Sequence, residues 1–111
     1  MSNNTIAAQA YLRGANIRER ERKMALARLQ SDMANRQDRL DQAHSQQQAD
    51  MAVARNEVTG STSAADLLML SDALLAGQRR VQAAQAQLEE LDAPMETARG
   101  ALTMSARERL V

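Results

Sequence analysis

Residues 67–102 read LLMLSDALLAGQRRVQAAQAQLEELDAPMETARGAL. With Leu67 as heptad position a, the a/d series runs Leu67, Leu70, Leu74, Gly77, Val81, Ala84, Leu88, Leu91, Met95, Ala98 and Leu102. Only Gly77 offers no apolar side chain, and the alternation of three and four does not slip over five heptads. A repeat of 3.5 residues keeps one stripe against a partner helix, so the pattern predicts a left-handed two-helix seam.

The residues before it carry a weaker version of the same pattern. Leu26, Leu29, Met33, Leu40, Ala43, Met51, Ala54 and Val58 keep the stripe, while Arg36 and Gln47 occupy seam slots. The step Ala43–Gln47–Met51 reads as a four-residue stutter. Between the two segments lies Thr59-Gly60-Ser61-Thr62-Ser63, a cluster of turn formers. Gly60 is suited to end a helix, and Ser63 with Asp66 three residues later resembles a capping box. The expectation is an all-α chain of one domain, residues 1–111. It is a coiled-coil hairpin with helix 1 at about 6–58, a turn at 59–63 and helix 2 at about 64–110. At about 1.5 Å per residue each helix is on the order of 70–80 Å long, and so short a connection makes them antiparallel neighbours. Pro94 removes one backbone hydrogen bond and crowds the carbonyl of Glu90. Because Leu91 and Met95 keep the heptad phase across it, a kinked continuous helix is preferred to a break.

Composition agrees. The 111 residues include no Trp, Phe or Cys, one Tyr (Tyr11) and one Pro. An ordinary globular core draws much of its buried area from aromatic rings; here burial must come from Leu, Met, Val and Ala. Good helix formers dominate the rest. Without cysteine there is no disulfide framework, which fits a reducing compartment. There is no run of the ~18 apolar residues that a membrane span needs and no apolar leader of the signal-peptide kind, so the chain reads as soluble and intracellular.

Formal charge is balanced, 14 basic against 14 acidic residues, which speaks against a nucleic-acid binder. The balance hides a segregation. Residues 13–28 and 99–111 hold nine basic and three acidic residues, a net of +6, and residues 29–98 carry the compensating −6. An antiparallel hairpin gathers the basic segments at the end bearing the termini. This is either a solvated charged face or a surface that docks on an acidic partner, since complementary fields steer association.

No residue constellation points to catalysis. His44 is the only histidine, and Asp41 and Asp50 beside it do not make a zinc ligand set. Glu89 and Glu90 sit on a helix without a cleft to perturb them. No phosphate-binding glycine loop, GxSxG or HExxH motif occurs. The seven Met residues read as packing rather than as a promiscuous surface. No enzyme activity, cofactor or metal is expected. One apolar feature exceeds the seam: Leu68 and Leu75 follow a positions, with Met69 beside them, giving a greasier face than two helices cover. Such a face marks a partner site, unless the turn folds over it or the chain dimerises there.

These features resemble the stalk-protein family of type III secretion, flagellar FliJ and injectisome YscO/SctO. The resemblance lies in Leu12-Arg13 with Ile17-Arg18-Glu19-Arg20-Glu21-Arg22 and in the Asp66-Leu67, Leu70, Leu74 start after the turn. It continues in the Leu88, Leu91, Ala98, Leu102 run that leads to Ala106-Arg107-Glu108-Arg109-Leu110. It implies a hairpin similar to the two-helix shaft of the rotary ATPase γ subunit, acting without catalysis to couple a hexameric export ATPase to the export gate and binding export chaperones. It implies a bacterial, cytoplasmic location at the periphery of the inner-membrane export apparatus. Arg18, Arg20, Arg22, Arg107 and Arg109 would dock in the ATPase ring as a monomeric stalk, and Leu68 and Leu75 would make the distal contact. The rival reading is a self-assembling helical scaffold of phage or secretion origin, driven by the same apolar surplus. A secreted WXG-type hairpin is disfavoured because the turn has no Trp-x-Gly.

Overall fold

The computed structural model describes residues 3–58 and 63–110. Their order is α1 (Asn3–Val58), α2 (Ala64–Glu89) and α3 (Asp92–Leu110), with no strand among them. Of the turn expected over 59–63, residues 59–62, Gly60 included, lie outside the described residues. Ser63 is described and opens α2. Its backbone is extended and its Oγ accepts from the Asp66 N–H at 3.2 Å, satisfying a donor that every helix start leaves without an intrahelical acceptor.

The helix expected over 64–110 is interrupted at Glu90 and Leu91, which form a turn between α2 and α3. The reason lies in Pro94. The Glu90 carbonyl would take its α-helical bond from residue 94, which has no N–H. A fresh start at Leu91 removes the conflict: the Leu91 carbonyl accepts from the Met95 N–H at 3.0 Å. Pro94 then falls in the first turn of α3, where a missing N–H leaves nothing unsatisfied.

The chain forms two units, one of residues 1–32 with 91–111 and the other of residues 33–90. In the first, the early part of α1 lies beside α3 with opposite direction, since Arg18 meets Glu108 and Arg22 meets Ser105. Ala15, Leu91, Met95 and Ser105 are buried. In the second, α1 lies beside α2, again reversed: Arg36 meets Glu90 and Asp50 meets Arg80. Leu40, Ala54 and Gly77 are buried there.

The covered positions keep the predicted period. Along α2 and α3 every a/d position from Leu70 through Leu102 is buried or half-buried, and the series continues to Ser105, which is 0% exposed. Along α1 a covered series runs Ala15, Glu19, Arg22, Leu26, Leu29, Met33, Arg36, Leu40, Ala43, Gln47, Asp50 and Ala54, still in steps of three and four, with Gly14, Arg18 and Asp32 half-buried at its flanks. The expected stutter is therefore absent. Asp50, half-buried, holds the slot that an apolar reading assigns to Met51, and Met51 and Val58 are exposed. Leu67, the first a position, is exposed as well.

Two results are expected. Leu40, 5% exposed, and Met51, 40% exposed, should part company under truncation. Leu40→Ala costs about 2–3 kcal/mol, whereas Met51→Ser stays within about 0.5 kcal/mol, as read by urea unfolding followed by circular dichroism. A Cβ at Gly77 would sit 3.8 Å from the Arg80 guanidinium and the Asp50 carboxylate and 3.9 Å from Gln47 Cγ, which is ordinary contact. Gly77→Ala should then stabilise the chain by about 0.5–1 kcal/mol through helix propensity alone; a lower melting temperature would contradict this.

Candidate functional site

The first unit carries nine basic and six acidic residues, the second five and eight. How much of that charge faces outward depends on which groups are consumed by pairing. In the first unit Glu19 is buried and takes Arg109 at 2.8 Å and Lys23 at 3.1 Å. Glu108 takes Arg18 at 3.4 Å and Arg22 at 3.7 Å. The Arg22 guanidinium also donates to the Ser105 hydroxyl and, at 3.4 Å, to the Ala101 carbonyl. Seam position 22 thus carries an arginine because its long apolar stem lies in the contact while its head reaches acceptors on α3.

The five arginines singled out from the sequence therefore divide. Arg18, Arg22 and Arg109 hold the unit together. Arg20 and Arg107 are exposed and make no ion pair among the described residues. Arg107 borders a shallow groove of about 270 Å³ with Tyr11, Met104 and Glu108, the one place where the single aromatic side chain meets an available cation. Spacing alone could not separate these arginines, because the distinction rests on which carboxylate each one faces across the contact.

In the second unit Leu68 and Leu75 are 67% and 45% exposed, with Leu67 and Met69 also open. A groove of about 400 Å³ lined by Met51, Ala54, Arg55, Val58 and Leu74 lies in the same unit. The α1 half of this apolar surface is absent from the sequence reading, which placed Met51 and Val58 inside the seam. Counting Asp50 as a seam residue would have revealed it. The Arg36 guanidinium donates to the Gln87 carbonyl at 2.6 Å and lies 3.3 Å from the Glu90 carboxylate, covering the C-terminal end of α2 where carbonyls lack intrahelical donors.

Polar chemistry is sparse elsewhere. His44 is exposed, and among the described residues no three His, Cys, Asp or Glu side chains gather as a metal site. A groove lined by Asp38, Asp41, Gln42, Ser45 and Gln46 is one open helix face, with Gln37–Asp41 and Gln46–Asp50 pairs one turn apart. No helix of the described residues is long and apolar enough to cross a membrane. No family model, curated protein or solved structure matches this chain.

The division of the arginines can be measured. Arg22→Ala leaves Ser105, fully buried, and Glu108 without their shared donor and should cost about 1–3 kcal/mol. Arg20→Ala and Arg107→Ala should each change stability by less than about 0.5 kcal/mol. Equal losses for all three in denaturant unfolding would refute the assignment.

Proposed function

We propose that this chain is a non-enzymatic antiparallel coiled-coil hairpin that acts through its surfaces, as the stalk coupling a type III export ATPase to its export gate. The observation that carries the reading is the division of charge in the first unit. Three arginines are used to hold α1 against α3, and Arg20 and Arg107 remain exposed beside them. A helical pair that sets Glu19 and Glu108 against its own arginines and leaves Arg20 and Arg107 outside suits an acidic partner surface, where steering and orientation come from complementary charge. The stalk contributes no catalytic group; it biases the ring's nucleotide states by binding some of them better than others. The coiled coil itself is supported by the unbroken three-four series of covered positions on α1 and on α2 with α3. The family likeness given above would imply a cytoplasmic location, with chaperones as further partners.

One observation favours a second reading for the other unit. The stalk reading assigns Leu68 and Leu75 to an export-gate protein; the scaffold reading assigns them to another copy. The apolar face there extends onto α1 through Met51 and Val58, so it is broader than a two-leucine contact.

Purified protein added to the cognate export ATPase should promote hexamer formation and raise ATP turnover, and the ATPase should retain it in a pull-down. Arg20→Glu with Arg107→Glu should abolish both effects at unchanged helicity. Absence of both a turnover change and retention with the wild-type chain would count decisively against the stalk.

A further inference from the structure

We infer that the apolar face of the second unit is a homodimer interface, in which two copies pack as a four-helix arrangement with the Leu68–Leu75 ridge of each set into the Met51–Val58 groove of the other. This takes the scaffold reading of that face in place of the export-gate contact, and it does not rest on the ring-docking surface, which belongs to the first unit.

The face is built from both helices. Met51, Ala54 and Val58 of α1 line a groove together with Leu74 of α2. On α2, Leu68 and Leu75 each follow an a position, which turns them to the flank on which Leu74 borders the groove. A ridge and a groove therefore lie side by side at the same level of the unit. A two-fold axis running along the helices exchanges left and right, and so carries each ridge onto the facing groove. Self-complementarity of this kind is what an isologous contact requires.

Charge and area point to the same occupant. Although the second unit is acidic by three charges, its acids do not line the groove. The one charged residue lining the groove is Arg55, the helical positions between ridge and groove hold Ser71 and Gln78, and the one acid beside the ridge is Asp72, a turn from both Leu68 and Leu75. The ridge thus carries an acid at its border and the groove a base, so setting the ridge of one copy into the groove of the other brings opposite charges to the same contact. Met51, Val58, Leu67, Leu68 and Leu75 are all 40% exposed or more. Their open apolar surface is on the order of 500 Å², at the upper end for the largest patch on a monomer. Two such patches remove about 1,000 Å², the lower bound of a specific interface. A moderate dimer, in the micromolar range, is the result to expect.

The chain has no cysteine, so single introduced thiols report contacts directly. Sedimentation equilibrium of the full chain between about 1 and 200 µM should give a monomer–dimer equilibrium. Leu68→Ser with Leu75→Ser should raise its dissociation constant about a hundredfold or more, with helicity retained because both side chains are exposed. In an oxidised mixture of separately purified Val58→Cys and Leu68→Cys chains, the mixed disulfide should outrun both symmetric ones. A wild-type chain that stays monomeric throughout overturns the dimer and leaves the face to an unlike partner. A dimer unaffected by the double serine variant overturns the location. Dominant Leu68→Cys self-pairing overturns the ridge-into-groove arrangement, and no disulfide in any mixture overturns the contact even if the serine variant misfolds.

Discussion

A polar side chain set into a helix–helix contact must find its partner on the facing helix, and this requirement governs how the chain packs. Leucine and alanine seams tolerate slippage by a heptad, because one apolar layer resembles the next. Glu19, Arg22, Arg36 and Asp50 remove that freedom. Each reaches across to a particular group: Glu19 to Arg109, Arg22 to Ser105 and Glu108, Arg36 to the end of α2, Asp50 to Arg80. Sliding one helix by a turn, about 5.4 Å, would separate all of them. Most of these groups keep some solvent, so their net contribution to stability is small. Their larger effect is on register, since a slipped alternative takes Arg109 from the buried Glu19 and leaves Ser105 covered without its donor.

The same logic explains the join between α2 and α3. Pro94 prevents the Glu90 carbonyl from finding its donor within a continuous helix, so a helix end must be accommodated there. An end exposes carbonyls, and an arginine opposite it supplies N–H groups. Arg36, a poor residue for an apolar slot, is a suitable one for that slot because it bonds the Gln87 carbonyl and approaches Glu90. The polar seam residue and the proline are two parts of one local solution.

Much of this was legible from residue order. The period of Leu70 through Leu102 gave the covered face of α2 and α3, and Ser63 with Asp66 gave the start of α2. The misreadings share one cause. Assigning seam positions by hydrophobicity alone passed over Asp50 in favour of Met51 and invented a stutter, when the strict three-four step from Gln47 leads to Asp50 and Ala54. At Pro94 residue order already names the Glu90 carbonyl that loses its donor, and the heptad phase survives across the two-residue turn at Glu90 and Leu91, as a kink requires. The candidate arginines could be named but not sorted. Whether a cation is structural or available depends on the acid facing it, and that is a property of two segments some 90 residues apart.

The two surfaces left over differ in what they can recognise. In the first unit the acids Glu19 and Glu108 lie against arginines of the same unit, so the exposed cations outnumber the exposed acids Glu21, Asp92 and Glu96, and Arg107 stands beside Tyr11 and Met104. Long-range attraction and orientation suit such a surface, and salt weakens it. In the second unit the misread position has a consequence: once Asp50 takes the seam, Met51 and Val58 are turned out to join Leu68 and Leu75. That surface is short-ranged, and it gains chiefly from removing water. A seam that admits charged residues on one helix thus moves apolar residues out of it, and the outward face is a direct product of the inward one.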